Sequence, residues 1–256
     1  MQSDVNKRRA ERAKIARRRR LKVAFIFFLI IALISVVIMC FTLFFPVKRI
    51  NVSGSQLYTK AQIIKASKIT TEDQLYALSS KSVENNIRKA LPYVDSVELK
   101  RVFPNAVILT ITDANEMAYI VSDDGYIVLS ENGYILDNKE EKPEKIFEIV
   151  TSGVTGEISQ KVEYENSTEK ELIEKVVTEL INKDINVDKI DVTNILKITL
   201  EVEGRFTVDL GNSEYLGEKI AHLSSMIESI PNRSGAINLS MWTPQNSQGS
   251  FVENTK

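Results

Sequence analysis

The sequence predicts an α+β protein: a single N-terminal transmembrane helix, a small β-α-α-β-β module, then a mixed β-rich region with two helices. Three observations carry this expectation. An uncharged apolar run fills 23–45, "VAFIFFLIIALISVVIMCFTLFF". Period-two alternation begins within a few residues of its end, in "VKRINVSG". Further along, Asp124-Gly125 and Asn132-Gly133 separate short alternating runs, as tight hairpins require.

The apolar run reaches about 34 Å as a helix, enough to cross a bilayer with slight tilt. A cleaved leader has a shorter apolar core and a small-residue cleavage site, whereas this run ends in Phe44-Phe45-Pro46. Overall charge is -1, from 33 Lys and Arg against 34 Asp and Glu, but its distribution is uneven. Residues 1–22 hold ten of the cations and only Asp4 and Glu11, about +8, which leaves about -9 for the remainder. Basic residues before the span place the N-terminus in the cytoplasm and the following roughly 210 residues outside it. The run "RRRR" has no interleaved aromatic residue, so a topological and lipid-facing role is expected and nucleic-acid binding is not. The one cysteine, Cys40, lies within the apolar run, so neither a disulfide nor thiol chemistry is expected beyond the membrane.

The expected organisation is a basic tail over 1–22, a span over 23–45, a first module over 46–115, a β domain over 116–243 and a loose polar tail over 244–256. In the first module, Val47, Ile50 and Val52 alternate along a strand. Thr59 caps a helix with Ile63 or Ile64 and Ala66 or Ser67 at helical spacing. A second helix starts at Ser80 or Ser82, carries Val83, Ile87, Ala90 and Leu91 on one face, and stops at Pro92. Two alternating stretches separated by Pro104-Asn105 form a hairpin. The β domain begins as a meander. It continues with a charged helix carrying Leu172, Val176, Leu180 and Ile181, strands turning at Gly204, another helix over "SEYLGEKIAHLSSMIESI", and a last strand over 235–242.

The first module, through "INVSG" and "ALPYVDSVELKRVFPNAVILTIT", resembles the POTRA domain. The order of basic stub, span, POTRA-like module and a β domain ending in "DLG", helix and "GAINLS" resembles the FtsQ/DivIB family of bitopic bacterial division proteins over nearly the whole chain. The resemblance implies a scaffold without enzyme activity at the division septum. It also implies that the last strand engages an FtsB/DivIC-type partner, accompanied by an FtsL-type partner, and so bears indirectly on septal peptidoglycan synthesis. Asn238 stands where the family often has Asp, so no charge is expected to act there. The partner-binding residues expected are Gly235, Ala236, Ile237, Asn238, Leu239, Ser240, Met241 and Trp242, on a strand at a sheet edge, with Glu218 and Lys219 at most on the rim. Ile237, Leu239 and Met241 are expected on one face, and Asn238, Ser240 and Trp242 on the other. Trp242 has two readings: an exposed anchor, or a ring packed over the preceding helix through Leu223 or Met226.

No catalytic residue, cofactor, metal ligand or small-molecule substrate is expected. His222 is the only histidine and has no orienting partner at helical spacing. Ser167 and Lys170 match S-x-x-K, but K-T-G and S-x-N are missing, and Ser167 or Thr168 with Glu171 reads as a helix start. Asp123-Asp124-Gly125 lacks the spaced acids of a calcium loop. Asp191 and Asp209 lie on separate strands with nothing in the sequence to bring them together. Two other readings stay open: a membrane-anchored wall-processing or sensory enzyme with an unfamiliar site, and a POTRA-type translocation chaperone.

Overall fold

The computed structural model describes residues 22–39, 45–246 and 249–253. The basic tail up to residue 21, and the end of the apolar run with Cys40, lie outside the described residues. The described part of helix α1, Lys22–Met39, has a mean hydropathy of 2.9 and none of it is buried. A helix that is apolar all round and exposed along its described length suits a lipid surround.

Strand β1 (Arg49–Ser53), helices α2 (Lys60–Ser67) and α3 (Ser80–Ala90), and strands β2 (Val94–Val102) and β3 (Ala106–Asp113) follow in the expected order. The sheet order is β1-β3-β2, with β1 parallel and β2 antiparallel to β3. Thr59 and Gln62 form a reciprocal capping box on α2, and Ser79 caps α3 by accepting from the Ser82 amide. Ile63, Ala66, Val83, Ile87 and Leu91 bury against Val47, Val52, Val107, Leu109 and Ile111. Ala90, expected on the buried face, is exposed.

Only Ala114 and Asn115 separate β3 from β4 (Glu116–Ser122). A small cluster of Ala114, Val128 and Leu136, with Tyr93 and Ile146 against it, fills the joint. Glu116 accepts there from Tyr93 Oη (2.7 Å) and Lys139 Nζ (2.6 Å). Burial raises its carboxyl pKa, but the hydrogen bonds from Lys139 and Tyr93 outweigh that and hold it below the ordinary value.

The meander continues with β5 (Gly125–Ser130) and β6 (Ile135–Lys139), and the first hairpin turns at Asp123-Asp124 because Ser122 pairs with Gly125. Strands β7 (Phe147–Val150), β8 (Val154–Thr155) and β9 (Glu163–Tyr164) precede α4 (Ser167–Asn182). Then come β10 (Val187–Asp191), β11 (Ile198–Val202), β12 (Phe206–Gly211), α5 (Leu216–Ser229), β13 (Gly235–Asn238) and β14 (Ser250–Glu253). Nine of these strands form one sheet in the order β14-β13-β12-β11-β10-β7-β4-β5-β6. Helices α4 and α5 supply Leu172, Ile173, Val176, Leu180, Leu216, Ile220 and Leu223 to its core. Ile181, expected on the buried stripe of α4, is 63% exposed.

Two expectations about the C-terminus are corrected. The segment 244–256 was expected to be loose, yet Ser250–Glu253 is a strand paired antiparallel to β13. The segment 235–242 was expected to be one edge strand. Its strand ends at Asn238 and lies between β12 and β14. The reason is local: the Asn238 side-chain oxygen accepts from both the amide (2.9 Å) and the hydroxyl (2.7 Å) of Ser240 and turns the chain.

Candidate functional site at the C-terminal sheet edge

The site is built from β12, β13 and β14. Gly235 donates its amide to the Arg205 carbonyl, and the Leu239 amide reaches the Asp209 carbonyl, so odd-numbered residues of β13 turn their main chain toward β12. By the alternation of a strand, Ala236 and Asn238 face β14, where they pair with Val252 and Ser250. Val252 and Ser250 therefore spend their amides and carbonyls inward. Phe251 and Glu253 direct theirs away from the sheet, at its end.

Close approach is a requirement of this corner. A Cβ on Gly235 would stand 2.1 Å from the Val252 carbonyl oxygen, and one on Gly211, at φ +66°, would stand 2.8 Å from Ser240 Cα. Phe251 meets Phe206 edge-on, with ring centroids 6.2 Å apart, and the Arg205 guanidinium lies 4.4 Å from the centre of the Phe206 ring. Arg205 Nη1 also donates to the carbonyls of Ile230, Pro231 and Arg233, each at 3.0 Å, which ties the α5–β13 connection to β12.

Several sequence expectations change here. Ile237 and Leu239 are buried, but Met241 is 80% exposed because it follows the turn rather than continuing the strand. Trp242 is 8% exposed, joins the core and lies 5.8 Å from the His222 ring, which settles its two readings in favour of packing. Its Nε1 has no hydrogen-bond partner among the described residues. Glu218 is exposed, whereas Lys219 is buried and is no rim residue. Lys219 Nζ donates to the carbonyls of Leu210 (2.7 Å) and Asn212 (3.1 Å) and so fixes the β12–α5 turn. Burial lowers its pKa, partly offset by Glu214 and Asp209.

The register also assembles a surface that the sequence did not reveal. Asp191 pairs with Thr199, Thr199 with Asp209, Asp209 with Asn238, and Asn238 with Ser250, so five side chains form one row across the sheet. Asp191 and Asp209 are thus two strands apart, about 10 Å, on the same face. Both carboxylates accept from the residue two positions on, Asp191 from Thr193 and Asp209 from the Gly211 amide. At this end of the sheet the loops carry Ile195 (41% exposed), Leu196 (73%), Tyr215 (42%) and Met241. Of these, Met241 lies in the turn that directly follows β13, whereas Ile195 and Leu196 lie in the β10–β11 loop, three strands from β14.

Among the described residues no three His, Cys, Asp or Glu side chains are grouped to hold a metal. Ser167 and Lys170 are exposed in the first turn of α4, whose cap is Asn166 and not Ser167 or Thr168. A cleft of about 400 Å³ beside α4 is lined by Met117, Ile173, Val177 and Tyr164, with Ser130, Lys170 and Glu174 among its polar groups. Ser130 Oγ already accepts from the Tyr134 amide. The buried polar feature that sequence reasoning missed is Glu169, 1% exposed. It accepts from Thr151 Oγ1, Ser152 N, Ser152 Oγ and Asn166 Nδ2, which joins the exit of β7 to the start of α4.

An N-terminal helix long and apolar enough to cross a membrane, followed in the chain by a three-stranded βααββ module, fits a single-pass POTRA-domain protein. Residues 45–113 match the family model of the POTRA domain, FtsQ-type. The chain is similar to the cell division protein DivIB of Clostridium tetani, 34% identical over 43% of this chain and 42% of that protein, so this match spans less than half of the relative's length. It is also similar to the cell division protein FtsQ of Streptomyces coelicolor (22% identical, 72% of this chain and 71% of that one). A third relative is DivIB of Clostridium acetobutylicum (24% identical, 77% and 80%). The chain is therefore a relative of the FtsQ/DivIB cell division proteins.

Proposed function

We propose that this protein is a non-enzymatic scaffold of the division machinery. Its N-terminus is cytoplasmic, its folded part lies outside the membrane at the septum, and it recruits FtsB/DivIC-type and FtsL-type partners. The partner adds a strand to β14, beyond the segment 235–242 that the sequence singled out; Gly235, Ala236, Ile237 and Asn238 hold β14 in place, and Met241 sits on the rim. The observation that carries this reading is the outward main chain of Phe251 and Glu253 at the end of the sheet. Met241, exposed in the turn that follows β13, supports a second contact with the same partner. Tethering in one bilayer raises the effective concentration of the pair, so a modest strand affinity suffices.

Two proline variants test the edge. Glu253→Pro removes an outward amide and leaves the β13 ladder intact, and proline is tolerated where the lost N–H faces solvent. It is expected to weaken binding of the purified partner pair to the full-length chain in nanodiscs about tenfold, with Trp242 emission unchanged. Val252→Pro removes an inward amide and is expected to release β14 itself, visible as faster hydrogen exchange at Ala236 and Asn238. Undiminished binding by a folded Glu253→Pro protein would count decisively against strand addition here. Peptidoglycan hydrolysis by the purified chain would favour the enzyme reading instead.

A further inference from the structure

The opposite end of the POTRA sheet carries its own exposed apolar feature. The tip of the β2–β3 hairpin presents Phe103 (62% exposed) and Val102 (38% exposed), followed by exposed Pro104. Two aliphatic or aromatic side chains at a hairpin tip are costly to leave in water and are not needed for the turn. Their position relative to the apolar run is fixed by hydrogen bonds. The amides of Lys48 and Arg49 both donate to the Asn105 carbonyl, at 2.8 and 3.3 Å. The Phe45 ring meets the Phe103 ring edge-on with centroids 5.6 Å apart. Phe45 is the last residue of the uncharged run, so wherever that run leaves the bilayer, the hairpin tip is beside it. Around the tip, Lys48, Arg49 and Lys100 are exposed, with Glu72 as the nearby exposed acid.

We propose that the β2–β3 hairpin tip, Val102, Phe103 and Pro104, is seated in the interface of the bilayer that α1 crosses, with Lys48 and Arg49 beside it at the headgroup phosphates. This inference rests on α1 being a membrane span. An aromatic ring at headgroup depth with cations reaching to phosphate is a stable arrangement at such an interface. A second point of attachment turns a single anchor into a two-point mount. The POTRA sheet then has a set angle to the membrane, and β1 and β3, which both start at this end and run parallel, point the β domain outward.

Because Cys40 is the only cysteine, single-label proteins are simple to make. The environment-sensitive fluorophore NBD is placed on native Cys40, or, in a Cys40→Ser background, at Phe103→Cys, Val102→Cys or Leu196→Cys. Each full-length protein is reconstituted alone into phosphatidylethanolamine and phosphatidylglycerol vesicles carrying a nitroxide lipid. The labels at Phe103→Cys and Val102→Cys are expected to be quenched at least about twofold more strongly than the label at Leu196→Cys, as a group some 5–10 Å into the interface requires. The Cys40 label is expected to be quenched as well. Quenching at Cys40 with none at positions 102 and 103 beyond that at 196 overturns the hairpin contact and leaves the span standing. Absence of quenching at Cys40 overturns both.

Discussion

Glu169→Gln is expected to destabilise the β domain by about 3 kcal/mol, because every group that faces the carboxylate is a donor. An amide in its place puts an NH2 against hydroxyl, main-chain and side-chain donors, so at least one buried pair is lost and one like-dipole contact is made. Burial pushes the Glu169 carboxyl up, while the hydrogen bonds from Ser152, Thr151 and Asn166 together hold it below its ordinary value. The sign of the pH dependence follows. A depressed folded pKa contributes stability that is fully present above the unfolded value, near 4.5, and is lost as pH falls through the folded value. Urea unfolding followed from pH 7 down to pH 3 should therefore show the two proteins converging in acid, with Glu169→Gln the flatter of the two. Parallel curves would mean that the carboxylate's charge contributes nothing to the fold.

That residue also shows where sequence reading stops. "NSTEKE" announces a helix start, and Ser167, Thr168 and Glu171 all looked eligible as capping groups. The actual cap, Asn166, and the buried acid at Glu169 are decided by Thr151 and Ser152, which approach only because β7 pairs parallel with both β4 and β10. The POTRA module was legible almost residue by residue because its β2–β3 hairpin is local and its two helices carry their caps and apolar faces in the sequence itself; only the parallel β1–β3 pair is long-range. Parallel pairs leave no short-range signature, so β7 passed unnoticed inside "EKIFEIV" and the nine-stranded sheet could not be assembled in advance. Strand β14 was missed for a similar reason. "GSFVENTK" has one inward-facing aromatic residue, Phe251, in a polar context, and only the waiting edge of β13 makes it a strand. The alternation extrapolated through Leu239, Met241 and Trp242 failed because Asn238 bonds to Ser240 and ends the strand, which carries Trp242 into the core.

Gly235→Ala is expected to detach β14 while leaving β1 to β12 folded, at a cost of about 2 kcal/mol to the docked strand. The added methyl would stand 2.1 Å from a main-chain oxygen of Val252 and 3.0 Å from Glu253 Cα and Phe251 Cε2. No flexible side-chain end is there to give way, so the strand has to move. Its hold is slight, four residues and one ring against Phe206, and an overpacking penalty of this size exceeds what a short edge strand contributes. Hydrogen exchange should show Ala236 and Asn238 losing protection, with Leu200 and Val208 unchanged. A chain ended after Asn246 separates the two ways a partner can use this corner. If the partner adds to β14, both Gly235→Ala and the shortened chain lose binding. If it takes the place of β14 on β13, the shortened chain binds more tightly than the parent, since a competing strand is gone, whereas Gly235→Ala still obstructs the incoming strand. Tighter binding by the shortened chain would move the contact from β14 to Ala236 and Asn238, the residues whose main chain β14 now occupies.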